Sequence, residues 1–473
     1  MRRARRYQEA MNRMNDAVAD GIAEAPRPPL VRRWLALVPR GGATIVGATV
    51  VVQTIARLAS SMFLTRLLDV PSYGILGILA SVQAIFQLVS DLGILNFVVR
   101  HKEGDDPRLL DQVWTVRLIR SLVLTVAMVV LSWPIAAYVQ KPEVQPALAA
   151  TSLIFLIDGL NSMTFATEVR AGRIARLSII DMVAAIAQVV VAATLVLVLR
   201  SVWGVILAMI VTGVIKSALS YTLFAGSRRR WALDRARVSE MWAFSRYITG
   251  SSILTMLLSQ TDKVVLSRLF PLDMFGLYVI AANIALSPSN FTFVYSTRVL
   301  YPIYARAFRE APETLRHVFY SAKLRIGVLY MIGAGGLVGG APMLIRILYD
   351  PRYAGSALYL RLLAIGTILT LGTTSANELL IAVGRVWTTM TVNILRLGWL
   401  AIAGFVLYMF YGPVGLVVAV ATIELPAQLY SWYSQMRAGV FDARQELLLL
   451  GAAAIGVALG LAVNQVSLRI LPA

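Results

Sequence analysis

Two stretches of thirteen residues decide the fold of this chain: LTRLLDVPSYGIL at residues 64–76 and LSRLFPLDMFGLY at residues 266–278. They lie 202 positions apart and share four identities, with Leu64, Arg66, Leu67 and Gly74 recurring as Leu266, Arg268, Leu269 and Gly276. Each stretch begins as an apolar run with a basic residue near its end and is then interrupted by proline or aspartate. An aromatic residue and a glycine follow as the next apolar run begins. This pattern is typical of a tight turn between membrane helices. Because the turn occurs once in each half, the sequence predicts a duplicated membrane protein with its site between the halves.

The composition points to a membrane protein throughout. Of 473 residues, 58% are apolar and 15% are charged, which is too apolar for a soluble chain of this length. The absence of cysteine excludes disulfides and thiolate metal sites. The only histidines, His101 and His317, fall in short basic loops, so we expect no metal site, and no motif points to a cofactor or to catalysis.

Runs of about 20 apolar residues predict an all-α, polytopic fold of thirteen membrane helices. A basic tail (1–42) precedes an N-lobe of six spans (43–225), a basic linker (226–242), a C-lobe of six spans (243–437) and one additional helix within 438–473. The predicted spans are 43–67, 73–99, 113–139, 146–171, 176–199, 202–225, 243–268, 275–303, 323–348, 356–383, 388–409, 414–437 and 446–470.

Basic residues are distributed unequally between the two sets of loops. With alternating spans, 28 Arg and Lys residues fall on the side of the amino-terminal tail, and four fall opposite: Lys141, Arg200, Arg352 and Arg469. This bias predicts a cytoplasmic amino terminus and a cytoplasmic linker. Because each half has an even number of spans, we expect parallel repeats. The net charge of +19 therefore reflects membrane topology and does not predict a nucleic-acid partner.

Ionisable residues at membrane depth are the first candidates for a site. Each costs roughly 2.5–3.5 kcal/mol to insert at the centre of a membrane helix, so such groups face a polar cavity or one another. The predicted substrate-binding cations are Arg57, Lys263, Arg298, Lys216 and Arg396. The predicted cavity-lining or ion-coupling residues are Gln53, Gln87, Asp91, Asp158, Asp262, Asn283, Asn290 and Glu424.

Helical spacing places polar residues on single faces of the first two spans of each half. The four sets are Gln53, Arg57, Ser60 and Ser61; Gln83, Gln87, Ser90 and Asp91; Ser252, Thr255, Ser259 and Asp262; and Asn283, Ser287 and Asn290. A lipid-facing stripe would be apolar, so these faces favour a polar interior between the lobes. Small polar residues also mediate dry helix packing, which is the alternative for each serine or threonine.

Three further stretches resemble a known family: TRLLDVPSYGILGILASVQAIFQLVSDLGI (65–94), EVRAGRIARLSIID (168–181) and LYDPRYAGSALYLRLLAIGTILTLGTTSANELLIAVGR (348–385). On these patterns, residues 43–437 resemble the polysaccharide-transport branch of the multidrug, oligosaccharidyl-lipid and polysaccharide exporter superfamily. The resemblance implies two six-helix lobes and a cationic central cavity for a pyrophosphate, exposed alternately to the two sides. The thirteen predicted spans differ from the twelve or fourteen usual in that family.

The leading interpretation is a flippase of the bacterial inner membrane that moves undecaprenyl-diphosphate-linked oligosaccharide from the cytoplasmic to the periplasmic leaflet. The alternatives are a drug exporter or a lipid II flippase of the same superfamily, and, from another class, a membrane-embedded glycan polymerase or ligase. An enzyme of that class would need a long extracytoplasmic loop for its acceptor, and none is present. Expected partners are membrane lipids, a polysaccharide polymerase, glycosyltransferases and a coupling proton or sodium ion.

We expect Arg57 to bind the diphosphate together with Lys263 and Arg298, because a diphosphate carries more than one negative charge. The competing hypothesis is that Arg57 pairs with Asp91 or Asp262 and only holds helices together.

Overall fold

The computed structural model describes residues 42–90, 92–171, 173–222, 229–385 and 387–470. The basic tail (except Gly42) and Asp91 lie outside these ranges. The regular structure of the described residues is helical throughout, as the sequence predicts.

In the part of the chain that the structure describes, nine α-helices precede the linker. They are α1 (Gly42–Leu67), α2 (Val70–Val89), α3 (Ile94–Arg100), α4 (Pro107–Val139), α5 (Val144–Thr151), α6 (Leu153–Gly159), α7 (Thr164–Arg170), α8 (Ile174–Leu199) and α9 (Val202–Thr222).

Nine more follow it. They are α10 (Arg235–Leu269), α11 (Leu272–Tyr295), α12 (Tyr301–Glu310), α13 (Leu315–Leu348), α14 (Ser356–Ala382), α15 (Trp387–Tyr411), α16 (Pro413–Ala421), α17 (Glu424–Arg437) and α18 (Ala443–Ile470). A π-helical turn, Ser296–Leu300, joins α11 to α12.

Ten helical stretches of the described residues are long and apolar enough to cross a membrane. An eleventh is added if Val144–Gly159 and Thr164–Arg170, which meet at 55°, form one bent span. The two predicted spans outside this set are the first of each half, α1 and α10, and both are helical in the described residues. The expectation of an all-α, polytopic membrane protein is confirmed.

Several predicted spans are interrupted, each with a local cause. Gly93 adopts a left-handed conformation with φ 57° and separates α2 from α3. Pro426 removes a backbone donor and crowds the carbonyl of residue 422, so the helix breaks at Thr422 between α16 and α17. One helix is longer than its predicted span: α10 begins eight residues earlier, at Arg235. The Asp234 side chain caps this start by accepting a hydrogen bond from Ala236 N (3.0 Å).

The repeated stretches meet each other directly. A Cβ atom added to Gly74 would lie 2.3 Å from the Leu272 carbonyl oxygen, and one added to Gly276 would lie 2.3 Å from that of Val70. Both pairs are related by the offset of 202 residues, so two equivalent helix starts touch backbone to backbone. We call this membrane face the hairpin end, defined by the turns Leu68–Asp69 and Phe270–Pro271. The opposite face, which contains residues 229–234, is the linker end.

The last helix, α18, packs on α13 through small residues and one ion pair. Cβ atoms added to Gly335 and Gly456 would lie 2.1 and 2.2 Å from backbone carbonyls of the facing helix. Lys323, which is fully buried, donates to Glu446 Oε1 at 2.6 Å. This helix is therefore a bound part of the second half.

Candidate functional site

Arg57 lies on α1, ten residues before the hairpin-end terminus of that helix. Its side chain is exposed, and it makes no hydrogen bond or ion pair with any residue of the described ranges. The neighbouring polar side chains of the same face, Gln53, Ser60 and Ser61, are half-buried. A guanidinium at this depth needs water or an anion beside it, because an unpaired charge in hydrocarbon is costly.

The competing pairing with Asp262 is not found. Asp262 is buried on α10 and accepts a hydrogen bond from the Tyr278 hydroxyl of α11. Its other carboxylate oxygen lies 3.6 Å from Lys263 Nζ. The remaining pairing, with Asp91, lies outside the described residues.

Lys263 lines an apolar groove of about 310 Å³ between α2, α4 and α10. Its ammonium donates to the Ser259 carbonyl at 2.8 Å, in addition to the contact with Asp262. Phe86, Ile135 and Val264 contribute to the apolar wall. The groove therefore places a cation next to a surface suited to hydrocarbon.

Arg298 lies in the π-helical turn and is exposed. Like Arg57, it makes no hydrogen bond or ion pair within the described part of the chain. Pro288 lies inside the preceding helix, and π-helical turns are frequent at functional sites. The sequence indicates the proline but carries no comparable signal for the π-helical turn.

The three cations lie at different depths. At a rise of about 1.5 Å per residue, Lys263 is about 9 Å and Arg57 about 15 Å from the hairpin-end termini of their helices. Arg298 is about 39 Å from the start of α11, measured along the helix axis. It therefore lies near the linker-end boundary of the membrane, whose hydrocarbon core is about 30 Å thick. They form a series across the membrane instead of one cluster.

Lys216 and Arg396 differ from these cations because each is paired within its own half. Lys216 Nζ lies 2.8 Å from Asp181 Oδ1, between α9 and α8. Arg396 Nη2 lies 2.7 Å from Glu424 Oε2, between α15 and α17, and Thr373 donates to the same oxygen at 2.8 Å. Both arrangements join neighbouring helices and give each cation a carboxylate partner within the protein.

Asp158 lies at a polar pocket inside the first half. It accepts from Asn161 at 2.8 Å and lies 3.6 Å from Arg117, while its side chain is 58% exposed. Two adjoining cavities of about 190 and 130 Å³ share Arg117, Asp158 and Phe165. Sequence reasoning missed Arg117, although it lies on a predicted span only 41 residues before Asp158.

The remaining predicted residues are polar side chains of α2 and α11. Gln87, Asn283 and Asn290 are exposed. In the described ranges, no group of three or more His, Asp and Glu residues is placed to hold a metal ion.

Comparison with known families is decisive for the class of protein. The sequence model of the family described as "Polysaccharide biosynthesis protein" matches residues 63–358, more than half of the chain. The chain belongs to this polysaccharide biosynthesis family. Both repeated stretches lie within the matched region, so the family match includes the contact between the two halves.

Curated relatives of this family member include the lipopolysaccharide biosynthesis protein WzxC of Escherichia coli K12. It is 23% identical over 344 residues, which cover 72% of this chain and 69% of the relative. The amylovoran biosynthesis protein AmsL of Erwinia amylovora is 22% identical over 55% of this chain and 67% of its own. The succinoglycan biosynthesis transport protein ExoT of Rhizobium meliloti is 21% identical, with coverage of 64% and 60%.

Solved structures show which fold the family member adopts. A MATE family transporter of the MOP superfamily, in an inward-facing conformation, superposes with a TM-score of 0.67 at 14% identity and covers 82% of this chain and 94% of its own. The lipid II flippase MurJ, in an inward closed conformation, superposes with a TM-score of 0.65 at 11% identity, covering 90% and 99%. The transporter fold that the resemblance implies is thus confirmed.

Proposed function

We propose that this polysaccharide biosynthesis protein is a flippase for polyprenyl-diphosphate-linked oligosaccharide. It transfers the glycan from the cytoplasmic to the periplasmic leaflet by alternating access. The relatives support this proposal, because WzxC, AmsL and ExoT are all named as polysaccharide biosynthesis proteins and ExoT is also named as a transport protein.

The observation that carries the proposal is the guanidinium of Arg57, which has no partner among the described residues and lies on a predicted membrane helix. Ionic groups within membrane helices normally have a partner in the protein, as Lys216 and Arg396 do. A guanidinium without one is available to a ligand, and its fork of donors matches the geometry of phosphate oxygens. A diphosphate on a lipid carrier is such a ligand.

The series of depths suggests how the diphosphate crosses. It meets Arg298 near the linker end, then Arg57 at mid-depth, and then Lys263 near the hairpin end, while the lipid chain follows the apolar groove beside Lys263. Each cation compensates for part of the cost of moving an anion through a medium of low dielectric constant. Gln53, Gln87, Asn283 and Asn290 would bond to sugar hydroxyls along the same route.

This direction follows from the proposed orientation. The excess of basic residues in the loops of the linker end supports a cytoplasmic linker end and a periplasmic hairpin end. Single cysteines introduced at Ser227 and Asp273 should then react with an impermeant reagent from opposite sides, since the natural chain has no cysteine. Reaction of both from the same side would contradict the topology.

The test of the function is an Arg57→Ala variant expressed in a strain that lacks the natural gene. Loss of a charge-assisted contact is worth about 1.5–3 kcal/mol, so surface glycan should fall by roughly tenfold to a hundredfold. Arg57→Lys keeps the charge but loses the fork and should give an intermediate amount. Arg309→Ala, an exposed arginine of α12, is the matched control and should export normally.

Protein abundance separates the two roles of Arg57. Full export by an Arg57→Ala variant present at normal abundance would contradict the binding role. Loss of the protein from the membrane would instead favour the competing structural role.

A further inference from the structure

The predicted topology sets apart Lys141 and Arg352, two of only four basic residues that it places on the hairpin-end side. Lys141 belongs to the first half, in the turn between α4 and α5, and Arg352 to the second half, in the turn between α13 and α14. We call them the crossed cation pair, because each contacts the end of the first helix of the other half.

Lys141 caps the end of α10. Its ammonium donates to the carbonyls of Ser267 (2.5 Å) and Phe270 (3.0 Å), and to Val139 O of its own half at 3.2 Å. The Ser267 carbonyl cannot receive the usual helical hydrogen bond from residue 271, which is a proline. Burial lowers the pKa of the Lys141 ammonium, opposed by the attraction of Glu143, so this contact is shielded from water.

Arg352 caps the end of α1 in the equivalent way. Its guanidinium donates to the carbonyls of Thr65 and Arg66, each at 3.3 Å, while Asp350 holds it through a 2.8 Å contact. The next residue, Tyr353, donates its hydroxyl to the Leu68 carbonyl at 3.1 Å. Arg352 is 48% exposed and its contacts are longer, so we expect it to contribute less than Lys141.

The contacted carbonyls are related by the internal repeat. Thr65 and Ser267 are 202 residues apart, and so are Leu68 and Phe270. Helix carboxyl ends carry a partial negative charge and orphan carbonyls, which attract cations. The same two carbonyl positions are therefore occupied in both halves by groups from the opposite half. These contacts must break if the halves separate at the hairpin end.

We infer that Lys141 and Arg352 are positioning residues that hold the hairpin end closed and so set how often the protein opens there. The functional meaning of this inference rests on the proposed alternating access, although its test does not require transport. Removing either cation should increase separation of the two halves at this end, and not only mobility around the missing side chain.

The test uses the full chain in lipid nanodiscs, where a charged, membrane-impermeant maleimide reaches both faces. The reporters are Thr65→Cys and Ser267→Cys, one at a time; both side chains are buried, and the chain has no other thiol. Each variant is combined with the reporter that the other cation contacts. Lys141→Met is therefore combined with Thr65→Cys, and Arg352→Gln is combined with Ser267→Cys. A local loosening around the missing side chain would not expose the distant reporter.

We expect labelling to accelerate about tenfold for Lys141→Met and about threefold for Arg352→Gln, in line with strong and weak charge-assisted hydrogen bonds. Lys141→Arg should remain within about twofold of the parent. Arg200→Asn, which removes an exposed cation placed by the topology on the same side, is the matched control; asparagine tolerates its left-handed φ of 45°.

Unchanged labelling of the distant reporters in both variants would overturn the inference, as would equal acceleration by Arg200→Asn. If Lys141→Met does not accumulate, Arg352→Gln decides alone, because it alters only a half-exposed surface turn. The assay contains no substrate, so a protein that does not move glycan would still give a clear result.

Discussion

The two halves contact each other differently at the two ends of the molecule. At the hairpin end, glycines lie against backbone carbonyls, and the crossed cation pair caps helix ends. At the linker end, the contacts come from side chains of α10 on the first half. Arg237 bonds to Glu103 at 2.5 Å, and the Phe97 and Phe244 ring centroids are 5.7 Å apart.

The difference indicates how each contact responds to change. Backbone atoms in van der Waals contact cannot adjust to added volume without moving the halves apart, so the hairpin-end contact tolerates little alteration. Exposed charge pairs adjust readily and are screened by salt. We therefore expect the hairpin end to be sensitive to single methyl groups, and the linker end to be sensitive mainly to ionic strength.

The largest effect is expected for Gly74→Ala, with Gly276→Ala as its counterpart in the second half. The new methyl group would meet a backbone carbonyl at 2.3 Å, so we expect a loss of about 1–3 kcal/mol in the free energy of unfolding, typical of overpacking. Thermal unfolding in detergent measures it. Gly333→Ala is the control, because no atom lies within 4 Å of its added Cβ and the helix should be unaffected or slightly stabilised. Equal melting of Gly74→Ala and Gly333→Ala would refute the close contact.

An intermediate effect is expected at the buried part of the linker-end contact. The Ser245 hydroxyl, on α10, is buried and donates to the Leu92 carbonyl at 2.6 Å. Ser245→Ala leaves that carbonyl without this donor and should cost about 1 kcal/mol. Thermal unfolding again provides the measurement. The control is Ser321→Ala, at an exposed site of α13. No difference between Ser245→Ala and Ser321→Ala would show that this hydrogen bond contributes nothing.

The smallest effect is expected for Arg237→Ala. The Arg237 guanidinium contacts Glu103 of the first half, but both side chains are substantially exposed, so the pair is worth about 0.2–1 kcal/mol at low salt. The difference in unfolding between parent and variant should disappear near 1 M salt, where screening acts over about 3 Å. A difference that persists at high salt would indicate an apolar or steric role for this arginine.

The sequence predicts the parts of this architecture that depend on local patterns. The repeated turn, with Gly74 and Gly276 at equal spacing, identifies both halves and the place where they meet. Long apolar runs predict most of the helices. Arg57, Lys216 and Arg396 are all recognised as cations at membrane depth, because their cost in hydrocarbon depends only on residue type and position.

Contacts between distant residues could not be predicted in this way. Lys141 bonds to Ser267, 126 positions away, and the sequence indicates only that it lies in a short loop. Neither periodicity nor charge count separates Arg57, which has no partner in the described part of the chain, from Arg396, which pairs with Glu424. The π-helical turn at Arg298 depends on packing of the second half, and for that reason the local sequence does not predict it.

The central claim is that this protein moves a lipid-linked oligosaccharide across the membrane by means of Arg57. The most direct measurement is translocation of a polyprenyl-diphosphate-linked oligosaccharide in proteoliposomes, followed by its accessibility to an impermeant glycan-modifying reagent. We predict rapid exchange between leaflets with the parent protein, and a rate reduced at least tenfold with Arg57→Ala. Exchange no faster than in protein-free liposomes, or an equal rate with Arg57→Ala, would contradict the account.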